Sequence, residues 1–259
     1  MNKIQPKTKY LGKNIIYLPT CHSTNDYCND LIKKGDISEG TLAYTDFQTS
    51  GRGQRGNVWE SNRGENVMAS LILKPVFLPT SEQFGLNIAF SLATYETLQP
   101  ILGDKFKIKW PNDLYFSENK LGGILIENTL QGTTLKSSVI GFGINVNQID
   151  FQNSTASSLK KITKIHFEVN ELIETILLNF ERNYESLKLG NFRSLHLKYS
   201  EILFGKNEIR LFEAENKSFQ GEIIGVTQFG KLEVLTNSEI RIFDLKEIRF
   251  IMNSENLIA

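Results

Sequence analysis

The chain has 259 residues, and its 29 basic and 29 acidic side chains cancel. No global field therefore draws in nucleic acid or an anionic membrane, and any anion bound must be met locally. Two cysteines outside any CxxC pair and three dispersed histidines argue against a protein-built zinc site and point to a reducing cytoplasm.

Residues 1–10 are basic, lack the apolar run of a signal peptide and read as a loosely held arm. No apolar stretch nears the ~20 residues that span a bilayer. Ile15–Leu18, bounded by Asn14 and Pro19, predicts a strand. Ser23, Thr24 and Asn25 then offer three cap-type residues for a helix that stops at Gly35. One helix start needs fewer, so the surplus hydroxyl and amide groups are candidates for binding something beyond the preceding strand.

A strand over 41–45 delivers Gln48 to TSGRGQRGNVWES, which packs Gly51, Gly53, Gly56, Arg52, Arg55 and Trp59 into residues 49–61. Glycines this dense cannot build a helix or central strand. They allow amides to approach a ligand while arginines reach anionic oxygens in forked pairs. A basic surface loop with no ligand is the plain alternative. Val67–Leu73 predicts a buried strand, and Thr80 with Gln83 a capping box opening a helix over 82–102.

Phe106, Ile108 and Trp110 alternate with lysines before Pro111-Asn112-Asp113, and apolar residues resume at Leu114. A hairpin follows that carries Lys109, Asn112, Asp113 and Lys120 around its bend, ahead of Gly122-Gly123. Val139–Asn147 predicts a strand interrupted by Gly141 and Gly143, a mark of close approach by a ligand or another backbone. Asn145 and Asn147 would share one face of it. Helices over 170–189 and 192–200 come next; His196 on the second is read as a packing residue. Beyond Gly205, five short alternating runs in about fifty residues predict a small closed barrel. The domain boundary falls near Phe204, dividing the chain into 1–204 and 205–259.

These loops supply guanidiniums, an ammonium, amides and an indole, without a histidine base or an evident nucleophile. That inventory suits phosphoryl or nucleotidyl transfer, where positioning and charge neutralisation dominate. Neither a P-loop nor a G-x-G-x-x-G helix start is present.

In their order and spacing, STN, GRGQRGNVW, KWPNDLY, KLGGILIE and GFGINVN (Ser23 to Asn147) resemble the biotin protein ligases. The resemblance implies an α+β fold: a mixed-sheet, class II synthetase-like catalytic domain followed by a small SH3-like β-barrel. It implies a two-step ligase reaction. Biotin attacks the α-phosphate of Mg-ATP to give biotinyl-5′-AMP, and a lysine of a biotin carboxyl carrier protein then displaces AMP.

By the same resemblance Ser23, Thr24, Asn25, Gln48, Gly51, Arg52, Gly53, Gln54, Lys120 and Gly123 meet biotin. Arg52, Arg55, Trp59, Asn112, Asp113, Lys120 and Asn145 meet ATP, and Arg249 is a looser match near the nucleotide. Arg52, Lys120 and Asp113 carry the chemistry, with Asp113 orienting the nucleotide or Mg²⁺; no metal ligand set is assigned. Gln54 and Asn57 stand where many relatives have arginine, which weakens the expected retention of the adenylate. Only 22 residues precede Ser23, so a ligase without a DNA-binding domain is expected. A monomer and a sheet-edge dimer are both compatible. The rival readings are a lipoate or octanoate enzyme of the same fold and a biotin-responsive DNA regulator.

Overall fold

The computed structural model describes residues 4–35, 37–53, 58–237 and 239–252. Its first sheet has seven strands: β1 (Ile15–Leu18), β2 (Leu42–Thr45), β3 (Asn66–Leu73), β4 (Phe106–Lys109), β5 (Asp113–Phe116), β6 (Asn119–Gln131) and β7 (Thr134–Asn145). Their order is β1-β2-β3-β7-β6-β5-β4, with only β1 and β2 parallel, so the sheet is mixed.

Strand parity divides the labour between the two faces. On β7, Ile140, Phe142 and Ile144 join the main core. That face is covered by α2 (Phe84–Leu102), with α4 (Val169–Lys188) beyond it. Phe90 of α2 bridges the layers, with ring centroids 4.9 Å from Phe142 and 5.0 Å from Phe180. Val139 faces the other way and packs with Cys28, Ala43 and Ile72 under α1 (Thr24–Lys34). Gly141 and Gly143 continue that second face, where side chains from α1 and the Gly/Arg loop arrive instead.

Two further helices complete the first unit: α3 (Leu159–Thr163), which the hydrophobic pattern had not signalled, and α5 (Phe192–Glu201). His196 on α5 makes a 3.2 Å hydrogen bond with the Thr227 carbonyl, in keeping with a packing role.

The second sheet comprises β8 (Ile209–Ala214), β9 (Lys217–Val226), β10 (Leu232–Leu235), β11 (Ile240–Phe243) and β12 (Arg249–Phe250). All five expected strands form, in the order β11-β10-β9-β8-β12. The ladder is open, however. Among the described residues β11 and β12 are its two edges with no pairing between them, so the expected closed barrel is replaced by an antiparallel sheet. The second sheet leans on the first unit through Trp110, whose Nε1 donates to the Gly230 carbonyl at 2.8 Å. Gly230 has φ +82°, and a Cβ there would fall 2.4 Å from the Phe84 ring. Only glycine satisfies both requirements.

Three local expectations fail for physical reasons. Residues 4–10 are docked rather than loose: Ile4 and Thr8 are buried, and the buried Glu181 carboxylate accepts the N–H groups of Lys9, Tyr10 and Leu11. The Thr80–Gln83 capping box does not form. Residues Thr80–Glu82 make a 3₁₀ turn instead, and α2 starts at Phe84 without a side-chain cap. The single hairpin around Asn112 proves to be a three-strand meander. Asp113 opens β5 and Lys120 lies near the start of β6, paired with Tyr115, so these two residues are strand residues and not bend residues.

Candidate active site

The second face of the first sheet carries a row of cross-strand neighbours. Lys109 on β4 pairs with Asp113 on β5, Asp113 with Gly123 on β6, Gly123 with Gly143 on β7, and Gly143 with Met68 on β3. The two glycines leave a trough between the charged end of the row and the apolar end. Above it lies a cavity of about 560 Å³. Ser23, Thr24, Asn25, Gln48, Arg52, Gly53, Trp59, Asp113, Lys120, Gly123 and Asn145 all line it, with Arg249 contributed by the second sheet.

One end is a polar relay built by the start of α1. Ser23 caps the helix, its Oγ accepting from the Asp26 N–H at 3.4 Å. Thr24 donates to Gln48 Oε1 through its backbone N–H (2.7 Å) and its hydroxyl (3.2 Å). With that oxygen engaged, Gln48 offers its Nε2 donors, and Ser23 retains its hydroxyl proton. Ser70 Oγ, on β3, lies 2.6 Å from Asn25 Oδ1 and 2.7 Å from Thr24 Oγ. Asn25 Nδ2 donates to Glu127 Oε2 at 2.8 Å. Gly141 makes room for this: a Cβ there would fall 2.1 Å from Asn25 Oδ1. The cap-type surplus thus serves both purposes, one residue capping and two carrying the relay.

The other end is charged and aromatic. Lys120 Nζ donates to Asp113 Oδ1 at 2.7 Å, with both side chains about one-third exposed. The Trp59 ring lies against Gly143, where a Cβ would fall 2.8 Å from Cε2. Its backbone N–H donates to the Gly51 carbonyl at 2.9 Å, so Gly51 supports Trp59 from beneath rather than lining the cavity. Arg52 lines the cavity beside the relay and is engaged by carboxylates, 2.6 Å from Asp26 and 3.0 Å from Glu127.

Asn112 lies behind the wall, its Nδ2 donating to the Ile124 carbonyl. Asn112 Oδ1, Asn145 Oδ1 and Trp59 Nε1 are buried polar atoms without a hydrogen-bond partner among the described residues. Such groups cost free energy unless something pairs with them. Asn147 departs from its expected place beside Asn145. It turns away to bond the Phe167 backbone through both amide atoms, while Asn145 donates to Ser157. Gln54 and Arg55 lie outside the described residues.

Glu127, Asp26 and Ser70 were not singled out from the sequence. Glu127 follows Gly123 at even spacing on β6, and Ser70 is a polar residue inside an apolar strand. Both signals are visible only once the strand register is known. No group of three or more His, Cys, Asp or Glu side chains among the described residues could hold a metal ion. Asp113 is a single carboxylate beside an ammonium, which fits a cation arriving on substrate phosphates better than a resident metal.

Residues 17–145 match the biotin/lipoate A/B protein ligase family. The chain is 32% identical over 240 residues to the bifunctional ligase/repressor BirA of Bacillus subtilis, covering 91% of this chain and 73% of that protein. It is 33% identical over 244 residues to the biotin–protein ligase of Homo sapiens, covering 88% of this chain and 33% of the other. Among solved structures, the biotin protein ligase of Aquifex aeolicus in complex with biotin and ATP superposes with a TM-score of 0.77 at 28% identity. That match covers 93% of this chain and 99% of the other. With the cavity, the relay and the motif residues converging on one face of one sheet, this chain belongs to the biotin/lipoate A/B protein ligase family, among its biotin protein ligases.

Proposed function

We propose that the cavity joins biotin to ATP and passes the resulting acyl-adenylate to a lysine of a biotin carboxyl carrier protein. The observation that carries this reading is the two-ended cavity, with a fixed polar relay at one end and Lys120, Asp113 and Trp59 at the other. Ser23 and Gln48 present donors to the ureido carbonyl, while Thr24 and Asn25 hold the relay in register. Lys120 meets the biotin carboxylate and steadies the charge that builds as it attacks the α-phosphate. Arg52 and Arg55 neutralise phosphates. Trp59 offers its ring to adenine, and Asn145 uses its spare carbonyl oxygen on the nucleotide side, with Asn112 supporting the wall from behind. Mg²⁺ enters as part of the Mg-ATP substrate, with Asp113 as the carboxylate nearest to it.

The acid and the phosphate are thereby brought to attack distance, which is where a reaction with no protein nucleophile gains most of its rate. In the second step the acceptor lysine attacks the acyl carbon and AMP leaves with the bonding pair. Residues 1–204 form the catalytic unit in this scheme, and 205–259 supply the cavity's far rim through Arg249. The balanced charge disfavours a DNA regulator, and two free cysteines suit a reducing cytoplasm. No helix among the described residues is long and apolar enough to cross a membrane.

Isotope exchange between pyrophosphate and ATP tests the first step. Biotin is expected to stimulate it and lipoate or octanoate not to. Exchange driven only by the apolar-tail acids would transfer the assignment to the lipoate branch of the fold.

A further inference from the structure

Asp26 and Glu127 have no part in the scheme above, yet both are spent on a loop arginine that the scheme needs. Arg52 Nη2 lies 2.6 Å from Asp26 Oδ1 and 3.0 Å from Glu127 Oε2. The two carboxylates do not have equivalent surroundings. Glu127 Oε2 also accepts from Asn25 Nδ2 at 2.8 Å and Asn29 Nδ2 at 3.1 Å, which ties it to the polar relay. Asp26 stands in the first turn of α1, its backbone N–H on the Ser23 cap, and its side chain is the more open of the two.

Two carboxylates around one guanidinium leave a net charge of about −1 at the rim of a cavity that must admit a triphosphate. We propose that Asp26 and Glu127 are positioning residues for Arg52 with opposite consequences. Asp26 competes with ATP for the guanidinium and sets the threshold for nucleotide capture. Glu127 fixes Arg52 to Asn25, so that the loop and the biotin relay keep one geometry. The proposal rests on the functional reading of the cavity. Both carboxylates use Nη2, the nitrogen shared by the two forked edges of a guanidinium, so a phosphate that takes Arg52 in a fork must displace one of them.

The test is biotin-dependent pyrophosphate–ATP exchange with the full chain, reading the Michaelis constants for ATP and biotin separately. Asp26→Asn keeps the backbone N–H that reaches the cap. It should lower the ATP constant at low salt by about two- to five-fold, the range an exposed ion pair spans. The biotin constant should stay fixed. In ~1 M salt, where the Debye length is about 3 Å, the difference should vanish. Asp26→Glu should restore wild-type behaviour. Glu127→Gln should instead raise the biotin constant more than the ATP constant. An unchanged or raised ATP constant for Asp26→Asn at low salt would overturn the proposal, as would parallel movement of both constants in both variants. If the wild-type chain shows no biotin-stimulated exchange, the functional reading fails by itself. Calorimetry with a non-hydrolysable ATP analogue then decides the pairing: tighter binding by Asp26→Asn upholds it, and equal or weaker binding overturns it.

Discussion

Lys120 and Asp113 hold each other at 2.7 Å in a partly exposed position, so their pairing contributes little to folding. Lys120→Ala should therefore leave the melting temperature nearly unchanged while cutting pyrophosphate exchange by about 100-fold or more, the cost of one preorganised donor. Matching losses in stability and exchange would assign Lys120 a structural role instead. The β7 glycines allow a sharper separation. Gly143→Ala drives a methyl into the Trp59 ring and should raise the Michaelis constant for ATP. Gly141→Ala drives one into Asn25 and should raise that for biotin. Exchange kinetics on the two variants would show whether the effects stay apart. Lys120, Arg52 and Trp59 were legible in the sequence because their motifs keep fixed local spacing. Glu127 and Ser70 were not, because their roles come from a partner on helix α1, Asn25, about 100 and 45 residues away.

At the scale of elements, hydrophobic periodicity located most strands and the long helices to within a residue or two, but β7 starts at Thr134, five residues before the expected Val139. What it could not supply was pairing. The stretch around Asn112 was read as one hairpin since both hairpins of a meander share the same alternation. The second turn, at Ser117 with φ +50°, carries no glycine to announce it. The closed barrel was likewise inferred from strand count, which does not determine whether the two edges meet. The N-terminal arm shows a different limit, because its order depends on a carboxylate about 170 residues away. Glu181→Ala would strip the acceptor from three backbone N–H groups and should cost about 2–4 kcal/mol. Urea unfolding reads that loss directly. Limited proteolysis should at the same time open the chain ahead of Leu11, and an arm that stayed protected would contradict the latch.

Across the whole molecule, burial shows in the tyrosines. Desolvation raises Tyr10, Tyr115, Tyr184 and Tyr199 well above the ordinary phenol value. Carboxylate neighbours add to the rise at Tyr10, Tyr115 and Tyr184. A raised folded-state pKa gives stability that is complete below the unfolded value of about 10 and is lost as pH climbs above it. Alkaline titration should thus show these four of the eight tyrosines ionising together with unfolding, and more than four tyrosinates appearing before any loss of helical signal would argue against it. Burial also pushes the Cys28 thiol up to about 12, so the native chain should resist alkylation there.

The central claim is that one cavity gathers a small carboxylic acid and a triphosphate around Lys120. A crystal structure with biotin and a non-reactive ATP analogue tests it most directly. The account predicts both ligands in the cavity between Ser23 and Trp59, with Lys120 Nζ within ~3.2 Å of the biotin carboxylate or the α-phosphate. Biotin bound elsewhere, or Lys120 still on Asp113 and touching neither ligand, would contradict it.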